Sequence, residues 1–289
     1  MTKDSLVRKV TRKTFKIRPS GRSSDYVTPS FGYGCLLECA YCYMKRHKPK
    51  GLDYATNIND ILTEVNNHAY FTVVDKPNQT DKKYITYDIS CNEDFAFHRK
   101  FYDWKLIFDF FKEHPIAKAT FATKVIPEDF LSYNPDGKVR IRFSLMPQKM
   151  STMLEPNTPK VIDRIKAIDK FMQAGYDVHV NYSPVVYYKN WMKDYKELFN
   201  LMNKYVTDKD NVLAEVIFLT HNVGRHNRNL LDNRMEEYFL WNPLLQEKKT
   251  SQYGGDNIRY KHNIKSKMID EFRELHESII SWNKIRYIF

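Results

Sequence analysis

The stretch FGYGCLLECAYCYMKRH runs from Phe31 to His47 and holds three of the chain's four cysteines, Cys35, Cys39 and Cys42. The fourth, Cys91, stands alone in DISCNED (88–94). A C-x3-C-x2-C run brings three thiolates to one point on a short loop. Thiolates are the usual ligands of iron–sulfur clusters. Four saturate a cubane cluster, whereas three leave one iron open for a small molecule. A structural zinc ion with His47 as fourth ligand is the alternative. Against it, C-x3-C is not a common zinc pair, and the second pair of a zinc ribbon is missing. The spacing does not read as a disulfide framework and fits cytoplasmic thiols that bind metal or do chemistry.

Working outward, VTPSFGYG (27–34) reads as a strand leading into the cysteine loop. INDILTEVNNHAYF (58–71) has helical spacing, with Ile61, Leu62 and Val65 on one face. ITYDIS (85–90) is a strand, and FHRKFYDWKLIFDFFKEH (97–114) one helix with an aromatic face. KATFATK (118–124) and VRIRFSLMP (139–147) are strands. The helix over 158–176 has Thr158 as N-cap, Pro159 in its first turn and Gly175 at its end. DVHVNYSPVV (177–186) and AEVIFLTHN (214–222) are strands, with a helix over 191–206 between them.

Strands alternating with helices of this length are the βαβ signature of a mostly parallel sheet. Five or six such units close fully or partly into a barrel, with its chemistry at the C-terminal strand ends. The expected fold is therefore α/β, in three parts. These are an N-terminal arm (1–25), a partial (β/α)6 TIM-type barrel (26–222) and a C-terminal extension (223–289) packed on it. The extension carries a hairpin at KTSQYGGDNIRYKHN (249–263), a helix (265–276) and an edge strand, IRYIF (285–289).

The chain has 289 residues, ample for a buried core, and a net charge of +11. Its first 50 residues hold 12 Lys/Arg against Asp4, Asp25 and Glu38, a balance of +9. A basic arm beside a cysteine cluster points to a polyanionic partner, most simply nucleic acid, although a solvated tail has the same composition. No apolar run reaches membrane-spanning length, and the N-terminus has no apolar signal region.

The cysteine motif, following the first strand of a βα chain with an aromatic before its third Cys, resembles the radical SAM superfamily. The resemblance implies a 4Fe–4S cluster on Cys35, Cys39 and Cys42, with S-adenosylmethionine (SAM) on the open iron. CAYCY, with Tyr41 and Tyr43 flanking Cys42, is similar to the spore photoproduct lyase family. DISCNED matches the stretch where that family carries a non-cluster catalytic cysteine, here Cys91. FATK (121–124) and RFSLMP (142–147) resemble strands whose Lys124 and Ser144 approach SAM. EPNTP…RIKAIDKFMQAGY and FLTHN continue the match over most of residues 28–222. A GGE-type stretch common in other radical SAM enzymes is not visible, which leaves Ser90 or Lys124 to meet the SAM amino group.

The resemblance further implies a DNA-repair lyase acting on two thymines joined through a methylene. An adenosyl radical takes hydrogen from C6 of one base, the linking bond breaks, and Cys91 returns a hydrogen atom. Tyr43, then Tyr41, quench the resulting thiyl radical, and SAM is regenerated. A flavodoxin or ferredoxin is the implied reductant, and the protein is expected to be a monomer. On residue type alone, Cys91 reads first as a buried structural thiol, and the DISCNED context reverses that order.

Lys249, Tyr253, Arg259 and Lys261, with Lys248, mark the hairpin as a duplex wedge with phosphate contacts, against a plain structural hairpin. Arg225 and Arg228 are further phosphate candidates. His221 and Asn222 end a strand at the catalytic face, whereas His179 reads as a barrel histidine and Tyr187 and Tyr188 as packing or surface aromatics. Two other readings stay open. One is a radical SAM enzyme that consumes SAM on another DNA or RNA base. The other is a non-catalytic metal-containing nucleic-acid-binding protein.

Overall fold

The structure is a computed structural model, which describes residues 6–20, 22–48, 51–72, 76–77, 80–250 and 256–289. Among these residues the strands form three sheets. The largest has the order Ile285–Ile288, Ala214–Phe218, Asp177–Val185, Val139–Leu145, Ala117–Thr123, Ile85–Asp88, Tyr26–Val27 and Arg18–Pro19. Two compact units divide the chain: Met1–Leu36, Lys50–Phe143 and Ala167–His179 form the first, and Leu37–Pro49, Ser144–Lys166 and Val180–Phe289 the second. Their boundaries do not follow the divisions at 25 and 222 expected from sequence.

In the first unit, Tyr26–Val27, Ile85–Asp88, Ala117–Thr123 and the strand beginning at Val139 pair in parallel. Ala117–Thr123 is nearly all buried, as a strand covered on both faces must be. Its Phe121 packs against Phe95, Phe108 and Phe130, all fully buried. The helix over Ile58–Phe71 appears where the spacing put it, with Ile61 and Val65 buried.

Three expectations are corrected in this unit. The segment read as an arm is built in: Val7–Val10 pairs in parallel with Leu52–Ala55, and Arg18–Pro19 pairs with Tyr26–Val27. The Arg12 guanidinium donates to the Ser30 carbonyl at 2.8 Å. The strand read over 27–34 is split, because Gly32–Gly34 leaves the large sheet to pair antiparallel with Leu52–Ala55. The helix read over 97–114 is broken: Phe95–His98 and a 3-10 turn at Arg99–Phe101 precede Trp104–Glu113. Two aspartates explain the break, Asp94 capping the first helix and Asp103 the second.

In the second unit, Ala214–Phe218 pairs in parallel with the strand ending at Val185 and with the edge strand Ile285–Ile288. Helices Trp191–Tyr205 and His262–Ile280 pack Tyr195 and Phe199 against Phe272. The strand read over 214–222 breaks at Leu219. Its second half, Thr220–Asn222, joins Asp256–Tyr260 and Gln246–Thr250 in an antiparallel sheet. The helix read from Thr158 begins at Val161 instead. Thr158 is no N-cap: its hydroxyl donates to the Glu155 carbonyl and accepts from Arg164.

Candidate active site

Cys91 sits in the turn that follows Ile85–Asp88 in the first unit. Asp88 anchors the turn: one carboxylate oxygen accepts from the Ser90 N–H at 2.8 Å, the other from the Arg142 guanidinium at 2.7 Å. The Ser90 hydroxyl donates to the Glu93 carbonyl at 2.9 Å and accepts from the Phe95 N–H at 3.1 Å. Ser90 thus has a turn-forming role that its sequence context did not reveal. Asp94 accepts from the Thr123 hydroxyl at 2.8 Å and from the Lys124 N–H at 3.0 Å. These bonds tie the Cys91 turn to the C-terminal end of Ala117–Thr123, where Lys124 begins. Arg18 Nη2 donates to Cys91 Sγ at 3.5 Å, within the range for a sulfur acceptor.

The same turn holds the start of the cysteine loop. The Gly34 N–H donates to the Asn92 carbonyl at 3.1 Å. The Leu36 N–H donates to His98 Nε2 at 3.3 Å, leaving Nδ1–H to donate to Glu93 Oε2 at 3.1 Å. Both neighbours of Cys35 are therefore fixed, Gly34 by the residue after Cys91 and Leu36 by the helix Phe95–His98 that follows the turn. Gly32 permits the approach, since a Cβ there would collide with the Tyr102 hydroxyl and the Glu93 carboxylate.

Cys39 and Cys42 belong to the second unit, where the Ala40 carbonyl between them is the anchor. It accepts from Arg225 Nε at 3.0 Å, while the Ala40 N–H donates to the Leu154 carbonyl at 2.9 Å. The Tyr41 hydroxyl donates to Glu155 Oε1. Glu155 Oε2 accepts from Ser151 at 3.0 Å and from the fully buried Arg164 at 2.9 Å. Arg164 also donates to the Ser144 carbonyl at 3.0 Å. Burial, then the Glu155 charge, push the Tyr41 phenol well above its usual range. It stays a neutral donor. Tyr43 is 46% exposed and is the accessible phenol of the pair.

Among the hairpin candidates, Lys249 stands opposite Asn257 and Arg259 opposite Glu247, so Lys249 and Arg259 are diagonal neighbours on one face. Lys261 donates to the Leu244 carbonyl at 3.0 Å, and Lys248 pairs with Asp256. Tyr253 lies outside the described residues. Arg225 does not fit as a phosphate ligand, because it is buried against Ala40. His221 is likewise engaged inside, with Nε2 donating to Glu237 at 2.9 Å, and Asn222 caps the helix Val223–Leu231 through the Arg225 N–H. His179 pairs with Asp177 at 3.2 Å, as a barrel histidine would.

Sequence reasoning missed Asn92, His98, Glu155, Arg164 and Arg225 as supports of the cysteine loop. One signal was available. Arg164 falls on the apolar face of its helix with Val161, Ile165 and Ile168, and an arginine there must find buried acceptors.

None of the four cysteines is in a disulfide among the described residues. Three of them within eight residues form a donor set for an iron–sulfur cluster. The fit has an independent sign. Arg225 is 4% exposed, and its Nη2 is buried with no hydrogen-bond acceptor among the described residues. Burial, then Arg234, lower its pKa, against the charges of Cys42, Glu38 and Asp232. A cationic N–H with no acceptor, on a guanidinium bonded to Ala40 between Cys39 and Cys42, suits an anionic sulfur cluster.

Parallel βα units carrying a C-x3-C-x2-C loop define a radical SAM-type protein. The family model for spore photoproduct lyase matches residues 1–289, and the chain belongs to that family. The spore photoproduct lyase of Clostridium acetobutylicum is 25% identical over 191 residues, covering 65% of this chain. The matched region spans 54% of that relative's length. A solved spore photoproduct lyase complexed with dinucleoside spore photoproduct superposes with a TM-score of 0.86 at 20% identity, covering 99% of this chain and 83% of the other. A mutant form with bound AdoMet and dinucleoside spore photoproduct gives 0.85 at 19% identity, covering 98% and 82%. These likenesses establish the expected partial-barrel α/β fold.

Proposed function

We propose that this protein is a radical SAM lyase that repairs a spore-photoproduct-type thymine lesion in DNA. The observation that carries the reading is the family match along the whole chain, together with a Cys91 turn bonded to Gly34, the residue before Cys35. Cys35, Cys39 and Cys42 would hold a 4Fe–4S cluster, and Lys124 and Ser144 would contact SAM. When bound, these groups supply a 5′-deoxyadenosyl radical.

The chain's own residues do the rest. Once the methylene link has broken, the thymine allylic radical needs one hydrogen atom. The Cys91 S–H bond breaks, a C–H bond forms on the methylene carbon, and an unpaired electron remains on Sγ. Tyr43 passes its phenolic hydrogen to Sγ, restoring the thiol, Tyr41 passes its own to Tyr43, and the hydrogen first taken from C6 returns to Tyr41, so no net hydrogen is consumed. A base stacked in duplex DNA is out of reach, so the lesion is extruded, which costs less for a damaged pair. Lys249, Tyr253, Arg259 and Lys261 hold the flanking strand. No helix among the described residues is long and apolar enough to cross a membrane. The reading places the enzyme in the cytoplasm as a monomer, reduced by a flavodoxin or ferredoxin.

The test is anaerobic reconstitution with iron and sulfide, then dithionite, SAM and a dinucleotide carrying spore photoproduct. Thymine recovery with little net 5′-deoxyadenosine, and aberrant adducts from Cys91→Ala, are expected. SAM cleavage without repair would move the substrate to another DNA or RNA base. Zinc uptake without iron would leave a non-catalytic binding protein.

A further inference from the structure

The helix Val223–Leu231 presents two buried polar side chains, Arg225 and Asn229, one turn apart on one face. Both reach the Ala40 carbonyl, Arg225 Nε at 3.0 Å and Asn229 Nδ2 at 3.4 Å. Asn229 is also held by Glu237, which gathers His221 and His226. That carboxylate is thereby fully engaged and free of any need for Arg225. The Arg225 guanidinium is an obligate cation with five N–H donors. Among the described residues it has no ion-pair partner, and Nη2 has no acceptor. Glu38 and Asp232 act on its charge without bonding to it. A buried cationic N–H without an acceptor is costly, and a bound anion would complete it.

We propose that Arg225 is a positioning residue for the iron–sulfur cluster, fixing the cysteine loop through Ala40 and donating Nη2–H to a cluster sulfur. The proposal rests on the radical SAM reading of the cysteine motif. A cluster on three thiolates is anionic and becomes more so on reduction. A buried cation and an N–H···S bond therefore favour the reduced form and raise the reduction potential. The electron that starts the reaction must pass through that form. Arg225 thus sets how readily a reductant charges the cluster, without touching substrate.

Two measurements test this, neither of them an activity. The full chain is reconstituted as wild type, Arg225→Lys and Arg225→Met, iron and sulfide are assayed, and the cluster is titrated by EPR without SAM. Arg225→Met is expected to retain cluster while its reduced-to-oxidised ratio at fixed poise falls about tenfold, or ~59 mV for one electron. Arg225→Lys keeps the charge and shifts less. An unshifted potential in cluster-loaded Arg225→Met would overturn the proposal. Should that variant not fold, wild type grown on 15N-arginine decides. Pulsed EPR of its reduced cluster should show a 15N coupling that Arg225→Lys lacks, and no coupling would overturn the assignment. A wild-type chain that takes up no iron and sulfide overturns the radical SAM reading itself, and metal analysis reveals this before any potential is measured.

Discussion

The backbone N–H of Gly34 donates to the carbonyl of Asn92 at 3.1 Å, joining the residue before Cys35 to the residue after Cys91. Two cysteines more than fifty residues apart are thereby held by one turn. His98 completes the clamp from Leu36, and it is fully buried. His98→Ala removes an acceptor from the Leu36 N–H and a donor from Glu93. It should destabilise the protein by about 1–3 kcal/mol. The checks are a lower urea midpoint and less iron retained per chain. An unchanged midpoint with full iron would mean that Cys35 is held by other contacts.

Glu155 separates two kinds of cost at the second anchor. Tyr41→Phe removes one hydrogen bond and leaves Ser151 and Arg164 on the carboxylate, so about 1 kcal/mol is expected. Glu155→Leu leaves Arg164 buried without its counter-charge, where losing one partner of a buried pair costs about 3–5 kcal/mol. Denaturation of both variants should give that order. Equal losses would contradict the view that Arg164 depends on Glu155.

How far the sequence carried this reading depends on the range of the interaction concerned. Local periodicity placed the helix Ile58–Phe71 at its ends, because apolar spacing is written in consecutive residues. The C-x3-C-x2-C loop was legible for the same reason. The break in the helix over 97–114 was masked because a continuous aromatic pattern hides Asp103 as a cap, and Asp94, the first cap, lies just before the run. The arm over 1–25 failed because net charge masks pairing. Val7–Val10 finds Leu52–Ala55 only through long-range register. Arg225 was illegible as a cluster support, since 185 residues separate it from Ala40.

Acid stability should depend on Asp81. Burial pushes its carboxyl up, but the Tyr84 N–H, Lys118 and the Lys83 N–H prevail and hold it at about 2, against an ordinary 3.8. Between those values the unfolded chain binds a proton that the folded chain does not. The stabilisation is therefore present above about pH 3.8 and lost as pH falls towards 2. Asp81→Asn should lower stability at neutral pH and flatten the acid limb across that window. An acid limb as steep as wild type would assign it to other carboxylates, such as Asp177, which His179, Arg140 and Lys118 hold low against its burial.

The hairpin can be read by salt dependence. Lys249 and Arg259 share a face, so each should engage phosphate, whereas Lys261 already donates to Leu244. Lys249→Ala and Arg259→Ala should weaken binding to a lesion-bearing duplex. Each should also reduce the slope of log K against log salt by about 1. Lys261→Ala should change the slope less. Fluorescence anisotropy across a salt series measures this, and unchanged slopes for Lys249→Ala and Arg259→Ala would return the hairpin to a structural role.

Arg18 bears on how Cys91 returns its hydrogen. Its Nη2 donates to Sγ at 3.5 Å from the edge strand Arg18–Pro19, so an exposed cation holds the sulfur from the solvent side. A hydrogen atom reaches the allylic radical only across a short, aligned S–H···C path, and small misplacements of reacting groups are costly in rate. Arg18→Ala removes the hold but leaves the thiol and the turn formed by Asp88 and Ser90. Lesion cleavage should continue while the share of aberrant adducts rises severalfold, between wild type and Cys91→Ala. Arg18→Lys should recover part of the loss. Chromatography of the products, normalised to lesion consumed, separates this from a general loss of rate. If Arg18→Ala slows consumption and leaves the product ratio unchanged, Arg18 serves the incoming phosphate and not the thiol.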